Sequence, residues 1–199
     1  MKRHSVLLLA CLALAIPAIA GAAIYQLDPD HTSIQFRVRH MTVSNVTGTF
    51  TKFKGTATID GDDPATLKVE VTIEAASVDT GNQKRDEHLR TADFLDVAKY
   101  PTIRFVSTKV VKGEPGRLKV TGYLTLHGVP REITVDLEGP TPEIKDPGGN
   151  FRRGATGTAK IDRRDFGINW SKMMDTGGLI VGNDVSIHVE VEWVRKPQP

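Results

Sequence analysis

The chain has 199 residues, 39% of them hydrophobic and 25% charged, with 26 basic and 24 acidic side chains and one cysteine, Cys11. This balance lacks the concentrated basic surface that phosphate binding needs, which argues against nucleic acid as a partner. A single cysteine also excludes intrachain disulfides and clusters of thiolate metal ligands.

The first 22 residues have the composition of a secretory signal peptide. Lys2 and Arg3 form a short basic region, the stretch from Val6 to Ile19 is apolar, and small residues follow it. This stretch is shorter than the roughly 18 to 20 residues of a membrane-spanning helix, so we expect cleavage between Gly21 and Ile24 and no stable membrane anchor. Cleavage also removes Cys11 and leaves a formally neutral domain of about 175 residues, periplasmic or secreted.

Most of the remaining chain alternates between apolar and polar residues with the period of two that indicates one-sided β-strands. In chain order, alternation predicts strands over 34–38, 46–59, 69–73, 102–111, 118–126, 133–137, 154–162 and 185–193. The pattern changes phase between Phe50 and Phe53, which predicts a bulge or sharp bend near Thr51–Gly55. About eight antiparallel strands predict an all-β fold, either a closed barrel or a two-sheet sandwich.

Helix is expected between Asn82 and Ala98. Asn82 is positioned to cap a short turn through Leu89, and Thr91 to cap another around Phe94 and Leu95. An insertion of this kind between two strands typically crosses the end of a barrel as a lid or side wall. We expect one domain over residues 23–195, followed by a frayed tail at 196–199.

Seven short motifs follow one another along the chain. They are DPDHTSIQF (28–36), SVDTG (77–81), RDEHL (85–89), DFLD (93–96), YPTIRF (100–105), GYLTLHGV (122–129) and RRDFGI (163–168). Together they resemble the YceI-like family of secreted, lipocalin-like, polyisoprenoid-binding proteins. The resemblance implies an elongated antiparallel barrel whose lumen holds a polyisoprenoid chain, such as a quinone tail or a polyprenyl phosphate. Members of the family are often dimers, so a homodimer is a further expectation.

A barrel of about eight strands is just wide enough to be filled by side chains or to hold one slender ligand. A polyisoprenoid gains free energy on binding mainly by removing apolar surface from water, so its lumen would have an apolar lining. The alternating rows supply the candidates Phe36, Val38, His40, Phe50, Phe53, Val71, Ile73, Phe105, Leu124 and Leu126. For each residue taken singly, plain core packing explains the alternation equally well.

Charged residues of the helical insertion form a second candidate set. Arg85, Asp86 and His88, together with Arg164 further along, are positioned to meet a polar headgroup at the barrel mouth. Ion pairing and helix capping are the commoner uses of such side chains and form the structural alternative.

The sequence contains no metal or catalytic motif. No HxH, HExxH or GxSxG spacing occurs, so no metal, no cofactor and no catalytic residue is expected. The leading hypothesis is a binding protein that encloses a long-chain lipid without chemistry. Two alternatives stay open: a lipid-modifying enzyme that uses His31, His40 or His88, and a filled β-sandwich that acts as an interaction module.

Overall fold

The structure is a computed structural model that describes residues 21–175 and 177–197. The expected signal peptide lies outside the described residues, apart from positions 21 and 22. The strands within the described part are β1 (Ala23–Leu27), β2 (Ser33–His40), β3 (Ser44–Phe50), β4 (Phe53–Asp60), β5 (Asp63–Glu74), β6 (Val78–Asp79), β7 (Thr102–Lys112), β8 (Arg117–Leu126), β9 (Val129–Glu138), β10 (Ile144–Lys145), β11 (Phe151–Asp162) and β12 (Val181–Arg195).

The sheet closes into a barrel because β11 pairs with β12 along its whole length, from Phe151 opposite Arg195 to Asp162 opposite Asp184. Around the barrel the order is β12, β1, β4, β5, β7, β8, β9 and β11, and every pair is antiparallel. The expected all-β, eight-stranded antiparallel barrel is therefore confirmed. The alternative of a two-sheet sandwich is wrong, since one sheet closes on itself.

The predicted bend lies at Thr51 and Lys52, where β3 ends and β4 begins. On one side of the bend β4 pairs with β1, and on the other side β3 pairs with β2 and β6. Strand β12 also has two partners. It pairs with β1 at Trp193 and Val194, and with β2 between Val181 and Glu190. We call the end that contains β1 and β4 the lower end, and the end that contains β2 and β3 the upper end.

Two clusters of buried side chains pack the two ends. The lower core gathers residues such as Tyr25, Ile59 and Trp193, each at most 2% exposed. The upper core gathers Phe94 and Phe166 with neighbours from β7, β8 and β11. Their separation matters for function because the interior between them is hollow.

The insertion between β6 and β7 lies at the upper end and contributes to the lining of the cavity there. Helix α1 (Gln83–Arg90) begins after Asn82, whose Oδ1 accepts a hydrogen bond from the Arg85 amide at 3.0 Å, as predicted. The second turn expected after Thr91 is also present: the Phe94 amide donates to the Thr91 carbonyl at 3.1 Å, and the Asp93 amide donates to Thr91 Oγ1 at 3.4 Å. The helix itself ends at Arg90 and does not continue to Ala98. None of the helices in the described ranges has the length and hydropathy that crossing a membrane requires.

Candidate functional site

The barrel encloses a cavity of about 450 Å³ between the two cores. This volume lies within the range of about 300 to 1,000 Å³ that ligand sites in proteins occupy. Inward-facing aliphatic and aromatic side chains of β5, β7, β8, β9, β11 and β12 line it, together with residues of β1, β2 and β3. The lining is therefore almost continuous hydrocarbon.

The exposure of the lining shows that the interior is hollow. In β12, Val185, Ile187, Val189 and Val191 all point inward, yet each is only half-buried. In a filled barrel these central positions would be the most deeply buried of the strand, as Trp193 is in the lower core. Their remaining surface faces the cavity.

Most polar groups of the lining lie at the upper end. Arg39 and His40 end strand β2, Arg85 and His88 lie on α1, and Arg163 begins the 3₁₀ turn Arg163–Phe166. None of the lining residues is an aspartate or a glutamate. The upper end is therefore the polar mouth of an apolar chamber, and its formal charge is positive.

Three comparisons place this architecture among known proteins. The model of the YceI-like domain matches residues 25–193, which is most of the chain. A UPF0312 protein of Shewanella denitrificans is 37% identical over 198 residues, which cover 98% of this chain and 100% of that protein. The chain belongs to the YceI-like family.

Solved structures agree with this assignment. The YCEI protein of Campylobacter jejuni is 34% identical, with a TM-score of 0.66 over 80% of this chain and 90% of that one. A polyisoprenoid binding domain of Saccharophagus degradans, implicated in plant cell wall breakdown, shares the fold at 16% identity, with a TM-score of 0.60 over 87% and 98% of the two chains.

Nine of the ten lumen candidates line the cavity of this YceI-like barrel. They are Phe36, Val38, His40, Phe50, Val71, Ile73, Phe105, Leu124 and Leu126. Phe53 is the exception: it lies directly opposite Ile73 but packs against the lower core and not on the cavity. The difference arises at the bend, because the inward residues of β4 meet those of β1 in the lower core.

Two of the four headgroup candidates line the cavity and two do not. Arg85 and His88 line the cavity, and the Arg85 guanidinium donates to Oγ1 and O of Thr80 at 2.7 and 2.9 Å. Asp86 lies off the cavity and is buried, where its Oδ1 accepts from the amide and hydroxyl of Thr80. Asp86 therefore fastens α1 to Thr80, the residue that follows β6, and has a structural role.

Arg164 was predicted to lie at the barrel mouth, but it does not line the cavity. Its side chain is exposed and forms an ion pair with Asp162, which lowers the pKa of that carboxyl group to about 2. Its neighbour Arg163 is the cavity residue: 4% exposed, it donates to the carbonyls of Gly182, Ile168 and Trp170. Burial lowers the pKa of Arg163, but an arginine stays charged at neutral pH.

Two of the three histidines of the enzyme alternative line the cavity, and the third does not. His40 and His88 line the cavity, and His88 Nε2 lies 2.8 Å from Asp93 Oδ2, with its ring edge-on to Trp170. His31 instead lies outside the cavity lining, beside Asp28.

Asp28, His31 and Glu192 bring three potential metal ligands within 4.8 Å of one another. The Arg152 guanidinium already contacts this cluster, with Nη1 donating to Asp28 Oδ2 at 2.7 Å and to Glu192. Arg152 lowers the pKa of Asp28 and, through its Nε, that of Asp146 to about 2, while the Asp28 carboxylate raises the pKa of His31. We interpret the cluster as an ion-pair network that fastens the β1–β2 connection to β11 and β12.

Proposed function

We propose that this YceI-like barrel encloses a polyisoprenoid or similar long-chain lipid in its cavity, for carriage, storage or sequestration, and performs no catalysis. The observation that carries the proposal is the hollow, hydrocarbon-lined interior, in which Ile187 and Val189 are half-buried at the centre of the barrel. Apolar surface left facing an open cavity retains a driving force of about 25 cal/mol per Å² for any apolar chain that covers it.

The chemistry of the lining favours a ligand with a long apolar chain and one polar end. Hydrocarbon extends down to Trp193 and Leu27, whereas Arg39, Arg85 and Arg163 lie at the mouth. A planar guanidinium can donate to a phosphate or a quinone oxygen. The Saccharophagus relative, described as a polyisoprenoid binding domain, supports an isoprenoid chain as the apolar part.

The proposal places the protein outside the cytoplasm. The composition of residues 1–22 supports export to the periplasm or the medium with no remaining anchor, and a homodimer is the expected assembly. In these compartments a lipid needs shielding from water to leave a membrane. Amino-terminal sequencing of the exported protein checks the cleavage, and analytical ultracentrifugation checks the assembly.

Organic extraction of the purified protein followed by mass spectrometry tests the binding function. We expect a prenyl lipid at a fixed ratio to protein, and uptake of added prenyl lipid by protein that has been stripped. A protein that is isolated empty and fails to take up prenyl lipid from detergent would refute the proposal.

The hydrogen-bonded pair of His88 and Asp93 at the mouth is the observation that favours the enzyme alternative. Under that alternative, His88→Gln abolishes conversion of a bound lipid while uptake continues. Under the binding function, lipid recovered after long incubation is chemically unchanged with either the wild type or His88→Gln.

A further inference from the structure

The rim of the cavity mouth carries exposed apolar side chains. Met41 and Val43 lie on the β2–β3 turn, and Met173 lies on the neighbouring segment 171–175, with exposed fractions of 39%, 79% and 71%. The other exposed large apolar side chains of the described residues are scattered over β1, β7, β8 and β10. The mouth therefore differs from the rest of the surface.

Hydrogen bonds join the two parts of this rim into one surface. The Met41 amide donates to the Ile180 carbonyl at 2.8 Å, and the Ile180 amide donates to the Lys172 carbonyl at 2.9 Å. Three chain segments thus lie side by side, and two strand spacings put Met41 and Lys172 within about 10 Å of each other. Ile180 also lines the cavity, so the rim is continuous with the mouth.

The backbone of the β2–β3 turn is unfavourable for the residues that it carries. Met41 and Thr42 have φ values of 50° and 57°, and the Val43 amide donates to the His40 carbonyl at 3.0 Å. Asn-Gly is the sequence favoured by a β-turn whose two central residues both have positive φ. A methionine that is both strained and exposed contributes little to folding, and strain of this kind is a signature of functional segments.

The charge of the rim is complementary to an anionic surface. The Arg39 guanidinium donates to the carbonyl oxygen of Thr42, at 3.1 and 2.6 Å, and Lys172 lies one residue before Met173. In the part of the chain that the structure describes, neither cation forms an ion pair. Asp175 is the carboxylate of the same segment, and behind the rim Arg85 and Arg163 add two further positive charges.

We propose that this rim, formed by Met41, Val43 and Met173 with Arg39 and Lys172, docks the barrel mouth onto a bilayer that contains anionic phospholipid. The apolar tips enter the headgroup region, and the two cations stay at its surface. The inference rests on the proposed lipid-binding function, for which it supplies a route: a ligand passes between bilayer and lumen through a mouth that is pressed against the membrane.

Co-sedimentation with vesicles tests the docking. The chain from Gly21 onward is used, because it contains every strand of the closed barrel and lacks the apolar segment 6–19, which would bind vesicles by itself. The probes are vesicles of phosphatidylcholine alone and of phosphatidylcholine mixed with phosphatidylglycerol. We expect binding to the mixed vesicles that weakens as salt is added.

The rim variant combines Met41→Asn, Val43→Thr and Met173→Gln, and we expect it to lower the vesicle partition coefficient at least about tenfold. Removing the charges of Arg39 and Lys172 separately should cost about fivefold for each charge on the anionic vesicles. The control variant, Val111→Thr, Tyr123→Thr and Ile144→Thr, removes three exposed apolar side chains elsewhere and should bind within twofold of the wild type. Met41→Asn suits the turn better than methionine does, so loss of folding does not explain a loss of binding.

Each outcome separates docking from the lipid-binding function. Wild-type protein that takes up prenyl lipid from detergent but ignores vesicles overturns the docking and leaves the function standing. Vesicle binding without uptake of lipid refutes the function instead. Equal binding by the rim and control variants overturns the docking, as does a dimer in ultracentrifugation that only the rim variant dissociates, because the rim would then bind a second copy of this chain.

Discussion

A tryptophan placed inside the lumen gives the sharpest test of the cavity as the ligand site. Ala159 lies on β11 opposite Ile187 of β12, and both line the cavity. An indole covers about 150 to 250 Å² of apolar surface. A ligand that can no longer bury about 150 Å² of apolar surface loses about 4 kcal/mol of binding free energy at about 25 cal/mol per Å². This corresponds to about three orders of magnitude in Kd. Rearrangement of the ligand offsets part of this loss, so we expect Ala159→Trp to weaken prenyl lipid binding at least about 100-fold.

Stability and affinity should separate in this variant. The indole enters open apolar space, so the free energy of unfolding in urea should not fall by more than about 1 kcal/mol. Thr158→Trp is the matched control, since Thr158 is the preceding residue of β11 and points outward. Titration with a prenyl lipid in detergent measures both variants. A folded Ala159→Trp protein that binds with wild-type affinity would refute the lumen as the site.

Three further predictions concern stability. Arg163→Ala should lower the free energy of unfolding in urea by about 3 kcal/mol or more, because several buried carbonyl groups lose their donor. Arg152 lowers the folded-state pKa of Asp146 to about 2 from 3.8. The ionised Asp146 carboxylate therefore stabilises the folded state above the unfolded pKa, and this stabilisation is lost as pH falls from about 4 toward 2. Arg152→Met should remove that part of the acid transition measured by circular dichroism. Met41→Asn combined with Thr42→Gly should raise the free energy of unfolding by about 1 kcal/mol, since both positions have positive φ.

Matched outcomes would contradict these stability predictions. Arg164→Ala, which loses an exposed ion pair, should change unfolding by less than about 1 kcal/mol, and a cost equal to that of Arg163→Ala would mean that the buried bonds of Arg163 contribute little. If Arg152→Met unfolds in acid as the wild type does, the ion pair of Arg152 with Asp146 does not contribute to the acid transition. A destabilised Met41→Asn, Thr42→Gly protein would show that the turn is not strained.

Alternation predicts which face of a strand points inward, which was sufficient for the all-β class but left the barrel and the sandwich open. The eight predicted segments all fall on strands, and the change of phase after Phe50 locates the bend. Alternation did not predict strand β1, because an apolar residue also occupies its outward face: Tyr25 and Leu27 are buried, whereas Ile24 is 59% exposed. The pattern also gave no sign of β6 and β10, which have two residues each.

An inward residue packs in a core or lines the cavity according to its distance from the side chains on the opposite wall of the barrel. Strand periodicity contains no information about that distance. Phe53 and Ile73 share a face and a register position, yet only Ile73 lines the cavity. Arg163 was within reach of the sequence, because Gly157, Ala159 and Ile161 set an inward parity that continues to position 163. The predicted headgroup contact fell instead on Arg164, whose side chain is exposed.

The hollow barrel is held together by its ends and by its closed sheet, which leaves the middle free to be stabilised by a ligand. A ligand that binds only the folded state, at 100 times its Kd, adds about 2.7 kcal/mol to the free energy of unfolding. For a domain of this size, that corresponds to a rise in Tm of about 5 to 10 °C. Differential scanning calorimetry of stripped and prenyl-lipid-loaded protein should show this rise in the wild type and in Thr158→Trp, and little rise in Ala159→Trp. Equal rises in all three would mean that the lipid stabilises the protein from outside, and the side chains that line the lumen would then need another explanation for being only half-buried.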